Sequence, residues 1–383
     1  MRRTLFDQDH EAYRTTVRAF IEREVVPHYE AWSASGIVSR EMFTRAGDIG
    51  MFPAIPEEFG GSGNSDFRYN VVLSEEAARS GVSPAIMGIS LQNEICMPYF
   101  LELTNAEQKR RWLPGIGTGE SITAVAMTEP GTGSDLSGIS TKAVLDGDDF
   151  VINGAKTFIT NGINADLIIT AVRTGEHPHR GLSLIVIERD TAGLKRGRNL
   201  AKVGMHAQDT AELSFIDARV PRANLLGAEG EGFFGLTRNL PQERLGLAVQ
   251  ALAQTRAAFD WTIEYVRDRK AFGKSIGALQ NTRFVMAEMA TEIDFAQAYV
   301  DRAVLELNEK SITAVDAAKA KWWCTELLGR VVDRCVQLHG GYGYMLEYPI
   351  ARLFLDARVS RIYGGTTEIM KEIIGRSLEL ELK

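Results

Sequence analysis

Three kinds of residue pattern are scarce in this chain, and each scarcity narrows the reading. There are only three cysteines, Cys96, Cys324 and Cys335, widely spread and without metal-ligand pairing, so buried reduced thiols in a reducing, cytoplasmic compartment are expected. No stretch approaches the ~18 uninterrupted apolar residues of a membrane span. Met1-Arg2-Arg3 resembles the start of an export signal, but Asp7, Asp9 and Glu11 follow in place of an apolar run. Basic residues are also short: a net charge of −7 leaves no general surface for nucleic acid, though a local basic pocket for a phosphorylated ligand stays possible. The six histidines show no metal-binding spacing, so no metal site is expected. G-x-S-x-G elbows and P-loops are missing as well.

What is there divides into three. At 383 residues more than one domain is expected, and the pattern changes twice. Residues 7–26 read as an amphipathic helix with Tyr13, Val17, Phe20, Ile21 and Val25 on one face and Pro27 ending it. Helical spacing resumes over 69–78, and Thr104 to Glu107 reads as a capping box opening a helix that stops near Pro114. From about Ser121 the dipeptides Asp146-Gly147, Asn153-Gly154 and Asn161-Gly162 separate short β-branched runs, the signature of hairpin turns in an antiparallel sheet. Residues 167–172, 182–187 and 212–216 read as further strands. Long amphipathic stretches then cover 241–268, 278–308, 312–338 and 366–381, the pattern of an antiparallel helical bundle. The expected architecture is mostly α with a central β domain: an N-terminal helical domain over 1–120, an antiparallel barrel-like β domain over 121–228, and a C-terminal four-helix bundle over 229–383.

Leu240-Pro241-Gln242-Glu243-Arg244 is the stretch around which the rest is organised. Pro241 suits a first helical position, which places Glu243 and Arg244 in the first turn of a buried helix. On local pattern alone, Glu243 simply complements the helix dipole. The loop Met127-Thr128-Glu129-Pro130-Gly131-Thr132-Gly133-Ser134-Asp135 carries G-x-G without the third glycine or following helix of a dinucleotide fingerprint. Its glycines and hydroxyls still allow close approach to a planar or phosphorylated ligand. Arg269 to Lys274 is a basic helix end, with Gln280 opening the next helix. Gln337 to Tyr344 ends another helix on paired glycines. Trp322 and Trp323 read as core residues.

Together these segments resemble the acyl-CoA dehydrogenase family of flavoproteins over nearly the whole chain. The resemblance rests on Thr128-Glu129-Pro130-Gly131-x-Gly133-Ser134-Asp135, the Asn153 to Gly162 segment, Arg269-Lys270-x-Phe272-Gly273, Gln337-x-x-Gly340-Gly341-x-Gly343 and Ile362-Tyr363-x-Gly365-Thr366, in the family's order. It implies FAD, with Met127, Thr128, Gly133, Ser134, Phe158 and Thr160 around the flavin. It places Arg269, Phe272 and Gln280, with Gln337 and Gly341 of a neighbouring subunit, on the pyrophosphate and adenosine, and Thr366 and Glu368 completing the site. A cofactor shared in this way implies a homo-oligomer, usually a tetramer.

Ser134, Arg244, Tyr363 and Gly364 would lie along the acyl-CoA thioester. Many members carry the catalytic glutamate at position 364, where this chain has glycine. Others, similar to long-chain and isovaleryl types, carry it where Glu243 stands. The resemblance therefore implies that Glu243 removes the α proton, flavin N5 accepts the β hydride, and the N–H of Gly364 stabilises the thioester oxygen. The product would be the trans-2-enoyl-CoA of fatty acid degradation by β-oxidation, with an electron-transfer flavoprotein as electron acceptor. An oxidase that reacts with oxygen, or a binding protein without catalysis, are the competing readings. Burial and the helix N-terminus push Glu243 in opposite directions, so its acidity is not fixed by the sequence.

Overall fold

A computed structural model describes residues 2–380 and builds them around an N-terminal helical core, a β-domain core and a bundle core, the first and last joined by one long helix. The N-terminal helices are α1 (Gln8–Phe20), α2 (Tyr29–Ser35), α3 (Arg40–Asp48), α4 (Arg68–Arg79), α5 (Ser83–Ser90), α6 (Met97–Glu102) and α7 (Ala106–Gly117). Pro27 does not end the first helical run. The chain passes it through a π-helical turn, Ile21–Val25, and a 3-10 turn, Val26–His28, whose early position tolerates a missing N–H. The capping box lies one residue later than expected: Asn105 caps α7 and Gln108 reaches back to it. Pro114 sits inside α7 and does not stop it.

The β domain is formed by β1 (Thr123–Ala126), β2 (Lys142–Asp146), β3 (Asp149–Thr160), β4 (Leu167–Arg173), β5 (Leu182–Glu188), β6 (Leu194–Asn199), β7 (Thr210–Pro221) and β8 (Leu225–Leu226). Their order is β6-β7-β3-β2-β4-β5-β8, with β1 on β4. This corrects the antiparallel, barrel-like expectation, because the sheet is open and β4 pairs in parallel with both β1 and β2. Of the three turn dipeptides, only Asp146-Gly147 makes the tight β2–β3 hairpin. Asn153-Gly154 lies at a bulge within β3, where a Cβ on Gly154 would stand 2.5 Å from Thr141 Oγ1. Asn161-Gly162 turns the chain out of β3.

The bundle comprises α8 (Gly232–Asp268), α9 (Gln280–Asn308), α10 (Ala314–His339), α11 (Pro349–Ala357) and α12 (Thr367–Arg376). Between α8 and α9 lies a small hairpin, β9 (Lys270–Ala271) and β10 (Lys274–Ser275). Helix α8 starts nine residues before Pro241, so that proline is interior and Glu243 is far from any first turn. Tertiary packing explains the extension. Leu236 belongs to the N-terminal core, while Leu245, Ala248 and Leu252 belong to the bundle core, so one helix ties the two together. The tryptophans are less buried than expected: Trp322 is half-buried beneath Lys371, and Trp323 is 41% exposed beneath Arg330. All three cysteines are buried and unbridged. The expected final helix ends at Arg376. Position 381 and Met1 lie outside the described residues. No helix among the described residues is long and apolar enough to cross a membrane.

Candidate active site

Burial on three sides defines the centre of the site. Glu243 is 3% exposed, and its Oε1 accepts a hydrogen bond from the Tyr99 hydroxyl at 2.9 Å. Tyr99 lies on α6, 144 residues away, so no local spacing announces the pair. Burial pushes the Glu243 carboxyl up to about 7, with Tyr99 and then Arg244 pulling it back. The helix terminus contributes nothing here, since its field fades within the first turn. Sequence reasoning expected that field to oppose burial, and the earlier start of α8 removes it.

Across from this turn of α8 runs the 363–366 loop. Gly364 has φ 63°, and a Cβ there would lie 2.1 Å from Leu247 Cδ1. Leu247 therefore fills the space that a side chain at 364 would enter. The Gly364 N–H makes no hydrogen bond among the described residues and is free to donate. Lys321 Nζ donates to the Gly365 carbonyl at 2.6 Å, holding the loop to α10. The Arg244 guanidinium lies against the same loop, 3.9 Å from where a Cβ on Gly365 would stand, and its Nε is buried without a partner. Tyr363 is half-buried beside them.

A second cluster forms on the β domain. Met127 and Thr128 leave β1, and the Thr157 N–H donates to the Thr128 carbonyl at 2.9 Å, which joins that exit to β3. The register slips between Lys156 and Ile159, and Phe158 at φ 60° is turned outward with 68% of its surface exposed. A non-glycine residue held at positive φ is uncommon and costs about 1 kcal/mol or more, so the surrounding structure must enforce it. Thr160 follows on the same strand, and Gly133 leaves open space beside Thr128. Ser134 is exposed in the same loop. An outward ring flanked by hydroxyls and bare backbone fits a planar aromatic ligand such as a flavin. The loop is fixed from beneath by a pair that sequence reasoning did not assign. Lys156 Nζ donates to Glu129 Oε1 at 2.8 Å and to the Met127 carbonyl at 3.0 Å. Glu129, whose other oxygen accepts from Ser140, is drawn down to about 2 despite burial.

The third cluster is spread over the bundle surface. Arg269 caps α8, its guanidinium 5.6 Å from the Tyr342 ring. Phe272, at φ 52°, projects from the β9–β10 turn with 93% exposure. Gln280 is the first residue of α9, and Gln337 and Gly341 lie exposed at the end of α10 and just beyond. Thr366 caps α12 through Ile369 N, and Glu368 is exposed in its first turn.

A buried carboxylate whose pKa burial raises, opposite an unpaired backbone N–H and with a planar-ligand platform on the sheet, fits a flavin-dependent acid–base oxidoreductase. The chain belongs to the acyl-CoA dehydrogenase family: the N-terminal, middle and C-terminal domain models match residues 7–120, 124–218 and 230–379. It is thus an FAD-dependent flavoprotein oxidoreductase of acyl-CoA thioesters. It is 44% identical over 381 residues to the long-chain specific acyl-CoA dehydrogenase, mitochondrial, of Sus scrofa, covering 98% of this chain and 88% of that protein. The crystal structure of an acyl-CoA dehydrogenase from Geobacillus kaustophilus superposes with a TM-score of 0.95 at 50% identity, over 98% of this chain and 99% of that one. A glutaryl-CoA dehydrogenase from Mycobacterium smegmatis, solved in complex with FADH2, superposes at 0.91 with 26% identity, over 99% and 96%.

Proposed function

We propose that Glu243 is the base that removes the α proton of the acyl-CoA thioester, which leaves as the trans-2-enoyl-CoA. The observation that carries this reading is a carboxylate 3% exposed, hydrogen-bonded by Tyr99, on the helix face opposite a loop that lacks any acid at Gly364. The α proton of a thioester is weakly acidic, so a base poised near working pH is favoured over an ordinary carboxylate. As charge moves onto the thioester oxygen, the Gly364 N–H donates to it from a loop held by Lys321. Arg244 and Tyr363 flank the thioester, and Ser134 the CoA side. Bound FAD supplies the acceptor for the electrons of the β C–H bond. Phe158 and Thr160, with Met127, Thr128, Gly133 and Ser134, would hold its flavin. Arg269, Phe272 and Gln280, with Gln337, Gly341, Thr366 and Glu368, hold the remainder across a subunit boundary, which their exposure in one chain supports.

The same proposal includes a homotetramer, an electron-transfer flavoprotein as acceptor, a role in fatty acid β-oxidation and a cytoplasmic location. The porcine relative is described as mitochondrial. Fractionation decides the compartment, and light scattering the subunit number. The chemistry is tested by anaerobic titration of the yellow protein with acyl-CoA thioesters. Bleaching of the flavin is expected in the wild type, slowed by about 10²–10⁴-fold in Glu243→Gln. Full activity in Glu243→Gln would remove the assignment, and thioester binding without bleaching in the wild type would favour a binding protein.

A further inference from the structure

Beyond the base, the same side of α8 carries a second buried acid that proton removal does not use. Glu94, in the π-helical turn Leu91–Cys96 between α5 and α6, is 2% exposed. Its backbone carbonyl accepts from Gln242 Nε2 at 2.9 Å, and its Oε2 accepts from Gln250 Nε2 at 2.9 Å. Between those two positions lies Gly246, where a Cβ would stand 2.4 Å from Glu94 Oε2, so the carboxyl rests directly on the helix backbone. Residues 242, 246 and 250 are four apart and form one ridge of α8. The other carboxyl oxygen, Oε1, is fully buried and has no hydrogen-bond partner among the described residues.

Two features place this carboxyl close to the base and to the 363–366 loop. Gly246 and Gln250 lie roughly 4.5 and 10.5 Å along the helix axis from Glu243, so Glu94 sits within two turns of α8 from the base. Tyr363, which precedes the oxygen-binding Gly364, is also within electrostatic range of Glu94. Burial carries Glu94 up to about 8, so at neutral pH it is a carboxylic acid with an O–H to donate and an oxygen to accept.

We propose that Glu94 is a specificity-determining residue: supported by Gln250, it closes the acyl cavity with a hydrogen-bonding floor that rejects plain alkyl chains long enough to reach it. An acyl chain bearing an uncharged hydroxyl or oxo group at that depth pairs with Oε1, whereas a methylene there leaves the oxygen buried and unpaired. The position of the base does not fix the chain length; the floor sets it independently. This inference rests on the Glu243 reading, because that reading fixes where the α carbon lies.

The test is kcat/KM and the anaerobic bleaching rate for straight-chain acyl-CoA thioesters of increasing length and their ω-hydroxylated counterparts. Wild type, Glu94→Gln and Glu94→Leu are compared, with Glu94→Met as a second apolar variant should the leucine form not fold. In the wild type kcat/KM is expected to fall by roughly tenfold or more at the length that reaches the floor, with the ω-hydroxy thioester of that length spared. Glu94→Leu is expected to abolish the fall and the preference for hydroxyl, while Glu94→Gln keeps both in weaker form. Bleaching of short thioesters is expected to be unchanged in all variants. Length profiles that run parallel in wild type and the apolar variants would overturn the proposal. So would an equal loss for all lengths, which marks Glu94 as a clamp on α8 alone. If thioesters bind but none bleaches the wild type, the Glu243 reading has failed instead.

Discussion

Removing one hydroxyl from Tyr99 tests the electrostatics of the base without touching its position. Tyr99 is wholly buried and donates to Glu243 Oε1 at 2.9 Å, so Tyr99→Phe deletes the donor while keeping the ring in place. A hydrogen bond to a charged group contributes about 1.5–3 kcal/mol, which at 1.36 kcal/mol per unit of pKa is roughly one to two units. The carboxyl, already pushed to about 7 by burial, should rise further because only the ionised form uses that bond. Glu243 works as a base when ionised, so activity falls as pH drops through its pKa. The acid limb of the bleaching rate should accordingly move from near 7 to about 8 or 9. At pH 7 the ionised fraction drops from one half to between a tenth and a hundredth, a loss of roughly 5- to 50-fold. Above the new limb the rate should return to the wild-type plateau. The assay is stopped-flow bleaching of the flavin by one good thioester from pH 6 to 10, with CD confirming the fold. An acid limb that does not move, or a plateau that falls with it, would refute the reasoning.

Three further outcomes follow from the same geometry. Gly364→Ala should lower Tm and turnover together, because the new Cβ meets Leu247 Cδ1 at 2.1 Å in a backbone conformation at φ 63° that alanine disfavours; adding Leu247→Ala should relieve the clash but not the backbone cost. Lys156→Met should destabilise the fold by about 3 kcal/mol in urea unfolding and weaken flavin retention, since it leaves Glu129 buried without its cation, and adding Glu129→Gln should recover part of the loss. Glu94 is raised from 4.5 to about 8, so the folded state holds its proton more tightly than the unfolded chain; its contribution is undiminished below pH 4.5 and declines as pH rises towards 8. Thermal scans should therefore show Tm falling less between pH 5 and 8 in Glu94→Gln than in the wild type.

Much of this was legible in the chain. The alternation of helical and β-branched periodicity marked three parts in order, and Glu243 stood out once Gly364 lacked a carboxylate. The boundaries of α8 were not legible, because Gly232 to Leu240 contains two glycines and precedes a proline, all poor signs for a helix interior. Packing of Phe233 and Leu236 into the N-terminal core outweighs that local preference. The Asn153-Gly154 dipeptide also misled. Its glycine serves the close approach of Thr141 and not a turn, and a one-dimensional pattern does not separate the two. Tyr99 and Glu94 lie in an apolar helical run whose partners on α8 are about 150 residues on, so only the folded chain brings acid and donor together. The Lys156–Glu129 pair had a trace in the sequence, since Glu129 lies within the loop motif, but its cation is set by a strand register that no motif encodes.

The position of the base is a property of several residues together. With φ 63° at Gly364 any side chain there is strained, and Leu247 Cδ1 occupies the room beyond it, so a carboxylate at 364 requires Leu247 to move aside. Leu247 lies one turn after Glu243 on α8, so the helix that presents the acid also carries the side chain that fills the space next to Gly364. What the loop keeps is its backbone: a free N–H at 364, and a carbonyl at 365 fastened by Lys321. In the proposed mechanism, proton removal and oxygen stabilisation thereby fall to two separate elements. The acid stands on a helix anchored in both cores, and the N–H stands on a glycine turn whose 365 carbonyl is held by Lys321. Loosening the turn through Lys321→Met should thus reduce the rate of bleaching without moving its acid limb, whereas removing the donor to the acid through Tyr99→Phe moves the limb and spares the plateau. If both variants shifted the limb alike, the division would be wrong and the two elements would act as one unit.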